Sequence, residues 1–285
     1  AASSQCGPSA WVSLGYQGSH GNYTYYNDQE TFYDAGDDLP NLSRSHNAAD
    51  HGELGAKAIW KTLFSTPLET TLRLHGSRRQ LPGPAVAPFT KANTRDLQLL
   101  SRFSLGDWHL AQDAVWLSLA ADLLLMRHHF SDPGREAGFL TKEARSLASQ
   151  VGAESRLRYL WNLQHETEVF LRFQHEAMLQ HERMAKGDLL EKPPLASHQQ
   201  LGLGSEHKAE LFNGWLFRLS IRGDVDSTLG AMLSPQAGVL KPLGVCELRA
   251  NAGKYQRLPT MEERFGDQSL MVPNEDLQAE SSLNL

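Results

Sequence analysis

Between Gly152 and Gly187 the chain contains neither glycine nor proline, and Leu, Arg, Glu, Gln and Met dominate the stretch. These are strong helix formers, so the composition predicts one long helix over 154–186. At roughly 100° per residue, Leu157, Leu160, Trp161, Leu171, Met178 and Leu179 share one face of that helix. Phe170, Phe173, Ala177 and Met184 fall on nearly the opposite face. A helix apolar on two sides packs against neighbours on both, which makes it central. The run 114–126, apolar almost all round, belongs to a second central helix expected over 107–130.

Shorter helices are expected over 52–64, 95–103, 141–150 and 205–221, with Pro67, Ser131-Asp132-Pro133-Gly134 and Pro193-Pro194 as breaks. The expected fold is therefore mainly α, a helical bundle-like core over 51–222. Ahead of it lies an irregular N-terminal region, 1–50, with strand-favouring residues over 22–33 that suit a hairpin. Behind it, recurring Gly and Pro make 223–285 a loop-rich segment with a mobile polar tail. Leu160, Trp161, Leu171 and Phe173 of the first helix and Trp116, Leu119 and Leu123 of the second are the expected core.

Charge and hydropathy narrow the function classes. A net charge of -6 and a pI near 6.1 argue against a nucleic-acid or anionic-membrane surface, either of which needs clustered Lys and Arg. No stretch approaches the roughly 18 uninterrupted apolar residues of a spanning helix, so no transmembrane segment is expected. The chain opens Ala-Ala-Ser-Ser and carries the sequons Asn22-Tyr23-Thr24 and Asn41-Leu42-Ser43, which lean towards an exported protein. Cys6 and Cys246 suit either one bridge or two free thiols.

The candidate chemistry sits where polar groups interrupt the predicted apolar faces. Glu168 and His175 fall among the leucines of the long helix, and Asp122 and His129 line one side of the other. Buried carboxylates and imidazoles need partners. One answer is a metal held between facing helices, with iron, manganese or zinc as the expected ion. That reading makes the protein an oxidoreductase-like carrier or enzyme; the alternative is a helical binding protein whose polar cluster is structural. The Glu-x-x-His signature of dinuclear helical sites is absent. A second ligand candidate is His46-Asn-Ala-Ala-Asp50-His51, just before the first expected helix.

Asp224-Val-Asp226-Ser-Thr228 resembles the nucleophile loop of haloacid-dehalogenase-type phosphatases, in which the first Asp attacks phosphorus. Too little chain follows it to complete that fold. Gly-x-Ser-x-Gly, Walker, His-Glu-x-x-His and Cys-x-x-Cys motifs are all missing.

Overall fold

The computed structural model describes residues 8–21, 23–27, 39–44, 46–61, 66–81, 90–111, 114–136, 141–184, 189–190, 196–265, 274 and 276–285. Its strands, in chain order, are β1 (Ser9–Ser19), β2 (Tyr23–Asn27), β3 (Leu39–Arg44), β4 (Ala49–Lys61), β5 (Pro67–Gln80), β6 (Asn93–Ala111), β7 (Val115–Ser131) and β8 (Thr141–Asn162). They continue with β9 (His165–Met184), β10 (Leu189–Leu190), β11 (Ala196–Leu211), β12 (Trp215–Asp226), β13 (Gly230–Leu243), β14 (Cys246–Arg257) and β15 (Glu280–Asn284). One short helix, α1 (Met261–Phe265), lies between β14 and β15.

The strands form one antiparallel meander in the order β1-β4-β5-β6-β7-β8-β9-β11-β12-β13-β14-β15, with β10 appended to β9. A separate two-stranded ribbon pairs β2 with β3, so part of the run 22–33 is indeed extended. From β4 onward each strand pairs with the next long strand in the chain, so those hairpins form locally, whereas β1 pairs with β4 across the stretch that holds β2 and β3. β8 and β9 are 22 and 20 residues long, several times the usual strand length of about 5–6.

This overturns the helical expectation. Among the described residues, helix is confined to α1 and a single turn at Phe212–Gly214. The stretch expected as the long helix is the end of β8 and all of β9. The stretch expected as the second central helix is β7, with the end of β6 before it. The physical reason is visible in β9: Val169, Leu171, Phe173, Ala177 and Leu179 alternate with Glu168, Arg172, Gln174, Glu176 and Gln180. That is period two, the strand period. Phe170 and Met178 blur it, and good helix formers fill both sets.

Among the described residues no second layer covers the long sheet. The expected core residues Trp161, Leu171, Phe173 and Leu119 are 62%, 45%, 40% and 40% exposed. The well-buried side chains cluster instead at one end of the sheet, around Ala92, Phe130, Asp132 and Ala144. There the connections tie to one another. Glu136 accepts from the Thr90 hydroxyl at 2.5 Å and from the Lys91 amide at 2.8 Å. Those bonds, the Thr90 hydroxyl first, hold its carboxyl well down, at about 2.

Gly204 shows how tightly the sheet is built where β9, β11 and β12 meet. It lies opposite both Phe170 and Arg222, and a Cβ built on it meets the Phe170 ring at 2.2 Å. The ring rests over bare backbone, with the Arg222 guanidinium 6.0 Å from its centre. Gly204→Ala forces Phe170 aside, and the expected cost is about 1–3 kcal/mol. Chemical denaturation in detergent reads it; a loss under about half a kcal/mol means the ring swings away freely.

Candidate functional site

Because neighbouring side chains alternate across a strand and directly paired residues share a face, the register sorts the sheet into two surfaces. One is apolar. Leu74, Leu99 and Leu125 form one row across it, and Leu68, Leu105 and Leu119 another. Phe103, Ala121, Ala153, Phe173 and Leu201 form a third. The face continues through Leu219 with Ala237 and Val225 with Ala231. Leu203, Leu219 and Val225 are each more than half exposed. A water-facing surface with this many open leucines is a binding or membrane surface.

The edges of that face differ. Five hairpin connections, 62–66, 112–114, 163–164, 212–214 and 244–245, lie at one end, while 81–92, 132–140 and 258–279 lie at the other. Near the short connections the apolar face carries Trp60, Tyr159, Trp161, Trp215 and Phe217. Tyr159 and Trp161 meet edge to face at 4.7 Å, and Lys241 Nζ stands 5.8 Å over the Trp215 ring.

The opposite face is polar, and many of its charges are paired. Lys57 Nζ lies 2.8 Å from Glu69, Arg156 reaches Glu154 at 2.6 Å and Glu168 at 3.5 Å, and Arg158 reaches Asp107 at 2.9 Å. Lys208 and Arg218 converge on Glu206 at 3.4 and 2.5 Å, and Arg222 holds Asp224 at 2.7 Å. His128 bonds Asp96. Towards the long-connection end, His198 on β11 is clasped from both sides. Its Nε2 is 2.9 Å from Glu176 on β9, and its Nδ1 is 3.0 Å from Asp226 on β12. The Nε2 contact is a hydrogen bond, whereas the Nδ1 contact is an ion-pair distance without hydrogen-bond geometry. Beside this clasp, a cavity of about 360 Å³ lies between residues 258–261 and a wall that includes Met126, Gln150, Gln174, Met178 and Gln200.

The residues singled out from sequence are scattered over this architecture. Asp122 faces Arg102 and Gly152 on the charged side. Glu168 is there too, beside Arg156. His129 pairs with Glu143 at 3.0 Å on the other face, and His175 lies on that same other face opposite Val151. Seven residues make two turns of a helix, but seven is odd, so in a strand Asp122 and His129 point to opposite sides, as do Glu168 and His175. His46 Nε2 bonds the Ala92 carbonyl at 2.6 Å, Asp50 accepts from the Tyr16 hydroxyl at 2.8 Å, and the His51 ring meets that of His75 at 4.2 Å. These three do not converge either. Among the described residues, no group of three or more His, Cys, Asp or Glu is arranged to hold a metal.

The phosphatase-like motif has a structural role. Asp226 Oδ1 accepts from the Thr228 amide, the Thr228 hydroxyl and the Leu229 amide at 2.9, 2.7 and 3.0 Å, closing the β12–β13 turn. The Glu176–His198–Asp226 clasp escaped sequence reading because its members lie on three strands. Cys246 is free and exposed, and Cys6 lies outside the described residues.

Long antiparallel strands with one apolar and one polar face, short turns at one end and, apart from the β12–β13 turn, longer connections at the other are features of barrel walls. Solved structures agree on the fold. The chain is similar to the siderophore receptor PirA from Acinetobacter baumannii, with 12% identity and a TM-score of 0.66 over 83% of this chain and 40% of that one. It is similar to the outer membrane transporter YddB from Escherichia coli, with 12% identity and a TM-score of 0.64 over 87% and 36%. The ferric citrate transporter FecA gives 14% identity and a TM-score of 0.58 over 75% and 37%. The chain thus spans about two fifths of the length of these proteins. No protein-family model and no curated protein matches it.

Two expectations fall here. Among the described residues no helix is long and apolar enough to cross a membrane, but the likeness to outer-membrane transporters overturns the absence of transmembrane segments, because strands span too. The same likeness replaces both helical functions, the metal-holding oxidoreductase and the helical binding protein. The exported location agrees with these neighbours.

Proposed function

We propose that this chain forms a sector of the wall of an outer-membrane β-barrel of the transporter class. The observation that supports it most is the two-faced sheet: open leucines on one side of the long strands and a polar surface rich in ion pairs on the other. In this reading the apolar face meets lipid, and the charged face lines a water-filled interior suited to a polar solute. From Leu117 to Arg127 strand β7 advances about 33 Å, which a tilt of about 40° projects to about 25 Å, the height of an outer-membrane apolar band. The tryptophans and Tyr159 near the short turns fit the aromatic girdle at a membrane interface. Short turns place that end at the periplasmic side and the long connections outside.

The test is insertion into neutral phosphatidylcholine vesicles, read by tryptophan fluorescence with lipids brominated near the headgroup. Trp60, Trp161 and Trp215 sit at the edge of the band, so quenching is expected. Fluorescence unchanged by the bromines, with a strand-type circular dichroism spectrum retained, would defeat the membrane reading.

A further inference from the structure

The apolar face ends differently on each strand, and on five consecutive strands it ends on an arginine or a histidine. Climbing towards the long connections, β5 reaches Arg78, β6 reaches Arg95, β7 reaches Arg127 and then His129, β8 reaches Arg145, and β9 reaches His181. The register sets five of them side by side: Arg78 opposite Arg95, Arg95 opposite His129, His129 opposite Arg145, and Arg145 opposite His181. At about 4.8 Å per strand this row is about 19 Å long. Arg127 stands one pair lower, between Leu97 and Leu147.

Like charges directly opposite one another destabilise a sheet, so Arg78 beside Arg95 needs an anion. The protein supplies little. Glu143 serves His129 at 3.0 Å and Arg145 at 2.5 Å. Asp50, the residue opposite Arg78, takes a hydrogen bond from Tyr16. Among the described residues Arg78, Arg95 and Arg127 have no carboxylate within ion-pair distance, and all three are exposed. On the charged face many arginines have a carboxylate partner, as Arg156, Arg158, Arg218 and Arg222 do, while Arg73, Arg79, Arg102 and Arg172 have none within ion-pair distance among the described residues. What sets the rim apart is that Arg78 stands directly opposite Arg95, with Arg127 one pair lower, where the apolar face stops.

We propose that this rim is a docking site for a lipid headgroup bearing more than one phosphate, in the leaflet at the long-connection end. The inference rests on the membrane reading of the apolar face and adds to it a ligand. Arginine forks bind phosphate oxygens in pairs. The spread of the row over five strands suits several phosphates at once better than a single one. The site is continuous with the lipid-facing surface, so the acyl chains of the bound lipid lie against Leu97, Leu125 and Leu147 while its phosphates meet the arginines.

The experiment compares vesicles of phosphatidylcholine alone, phosphatidylcholine with phosphatidylglycerol, and phosphatidylcholine with diphosphorylated lipid A, the last two matched in phosphate. Flotation of the full chain reads binding. The expected result is binding to all three, strongest to lipid A, with the lipid A preference weakened by high salt. Each arginine near an anionic surface is worth about fivefold in partitioning. The variant Arg78→Gln/Arg95→Gln/Arg127→Gln should therefore lose most of the preference while still floating with neutral vesicles. Arg78→Lys/Arg95→Lys/Arg127→Lys keeps the charge, so it controls for folding and should retain much of the preference.

Equal flotation of the unaltered chain with all three vesicles overturns the inference and leaves the membrane reading standing. Equal gain from phosphatidylglycerol and lipid A overturns the assignment to a headgroup with several phosphates. An unchanged preference in the glutamine variant overturns the role of these residues. No flotation with any vesicle removes the membrane reading and this inference with it.

Discussion

Leu119→Arg is expected to cost about 2–4 kcal/mol of stability when the protein is folded in a lipid bilayer, the penalty for a cation near the middle of an outer-membrane band. Leu119 lies on the apolar face between Leu105 and Ser155. It is 40% exposed, so protein atoms leave much of its side chain open. In a water-soluble protein an arginine there would change stability by about half a kcal/mol or less. The contrast makes the substitution diagnostic. Ser104→Arg, on the charged face of β6 opposite Ala120, is the companion, and it should cost far less because its side chain enters water. Denaturant unfolding from phosphatidylcholine vesicles measures both. Equal losses at the two positions would mean that the faces do not see different solvents.

Phe130→Ala should cost about 3–5 kcal/mol. Phe130 is 1% exposed and sits on the charged face, between Thr94 and Ala144 on the flanking strands. Ala144, Ala92 and Asp132 are as deeply buried. This small cluster anchors the long connections to the end of the sheet, and removing the ring leaves a cavity that the stiff strands cannot close. Unfolding in detergent, where the lipid term is absent, isolates the effect. A loss below about 1 kcal/mol would show that the cluster repacks and contributes little.

Much of the local punctuation was legible in the sequence. Ser131-Asp132-Pro133-Gly134 does end an element, at Ser131, and a new strand does begin at Pro67. The elements between those breaks were misjudged for definite reasons. β9 is built from residues that rank high as helix formers, and Phe170 and Met178 put apolar groups on its charged side. In β7, Trp116, Leu124, Met126 and Phe130 do the same. Interior glycines were read as helix boundaries, yet Gly152 lies inside β8 and Gly106 inside β6. A strand tolerates a glycine where a side chain from the next strand needs room, and the Asp122 carboxylate occupies the space beside Gly152.

The candidate site was less legible still, for a geometric reason. The metal reading joined Asp122 to His129 and Glu168 to His175 by helical arithmetic, and the strand period sends each pair to opposite faces. The residues that do meet are far apart in sequence. Glu176 and His198 are separated by one connection, and Asp226 arrives from a third strand. Arg78 and His181 lie in one cationic row only because four successive registers align them.

By itself the sequence determined the net charge and a few breaks, such as those at Pro67 and after Ser131, but not the reversals at 112–114, 163–164 and 212–214, which the expected helices ran through. Tertiary structure decided the rest, namely which residues pair, which face each side chain takes and which solvent that face meets. Strand pairing is set by hydrogen bonds to a partner that a local window does not contain. A leucine carries no mark distinguishing a protein interior from lipid. Only when the strands stand side by side do the leucines form an uncovered band, many of the charges find partners, and Arg78, Arg95 and Arg127 at the rim remain without one among the described residues.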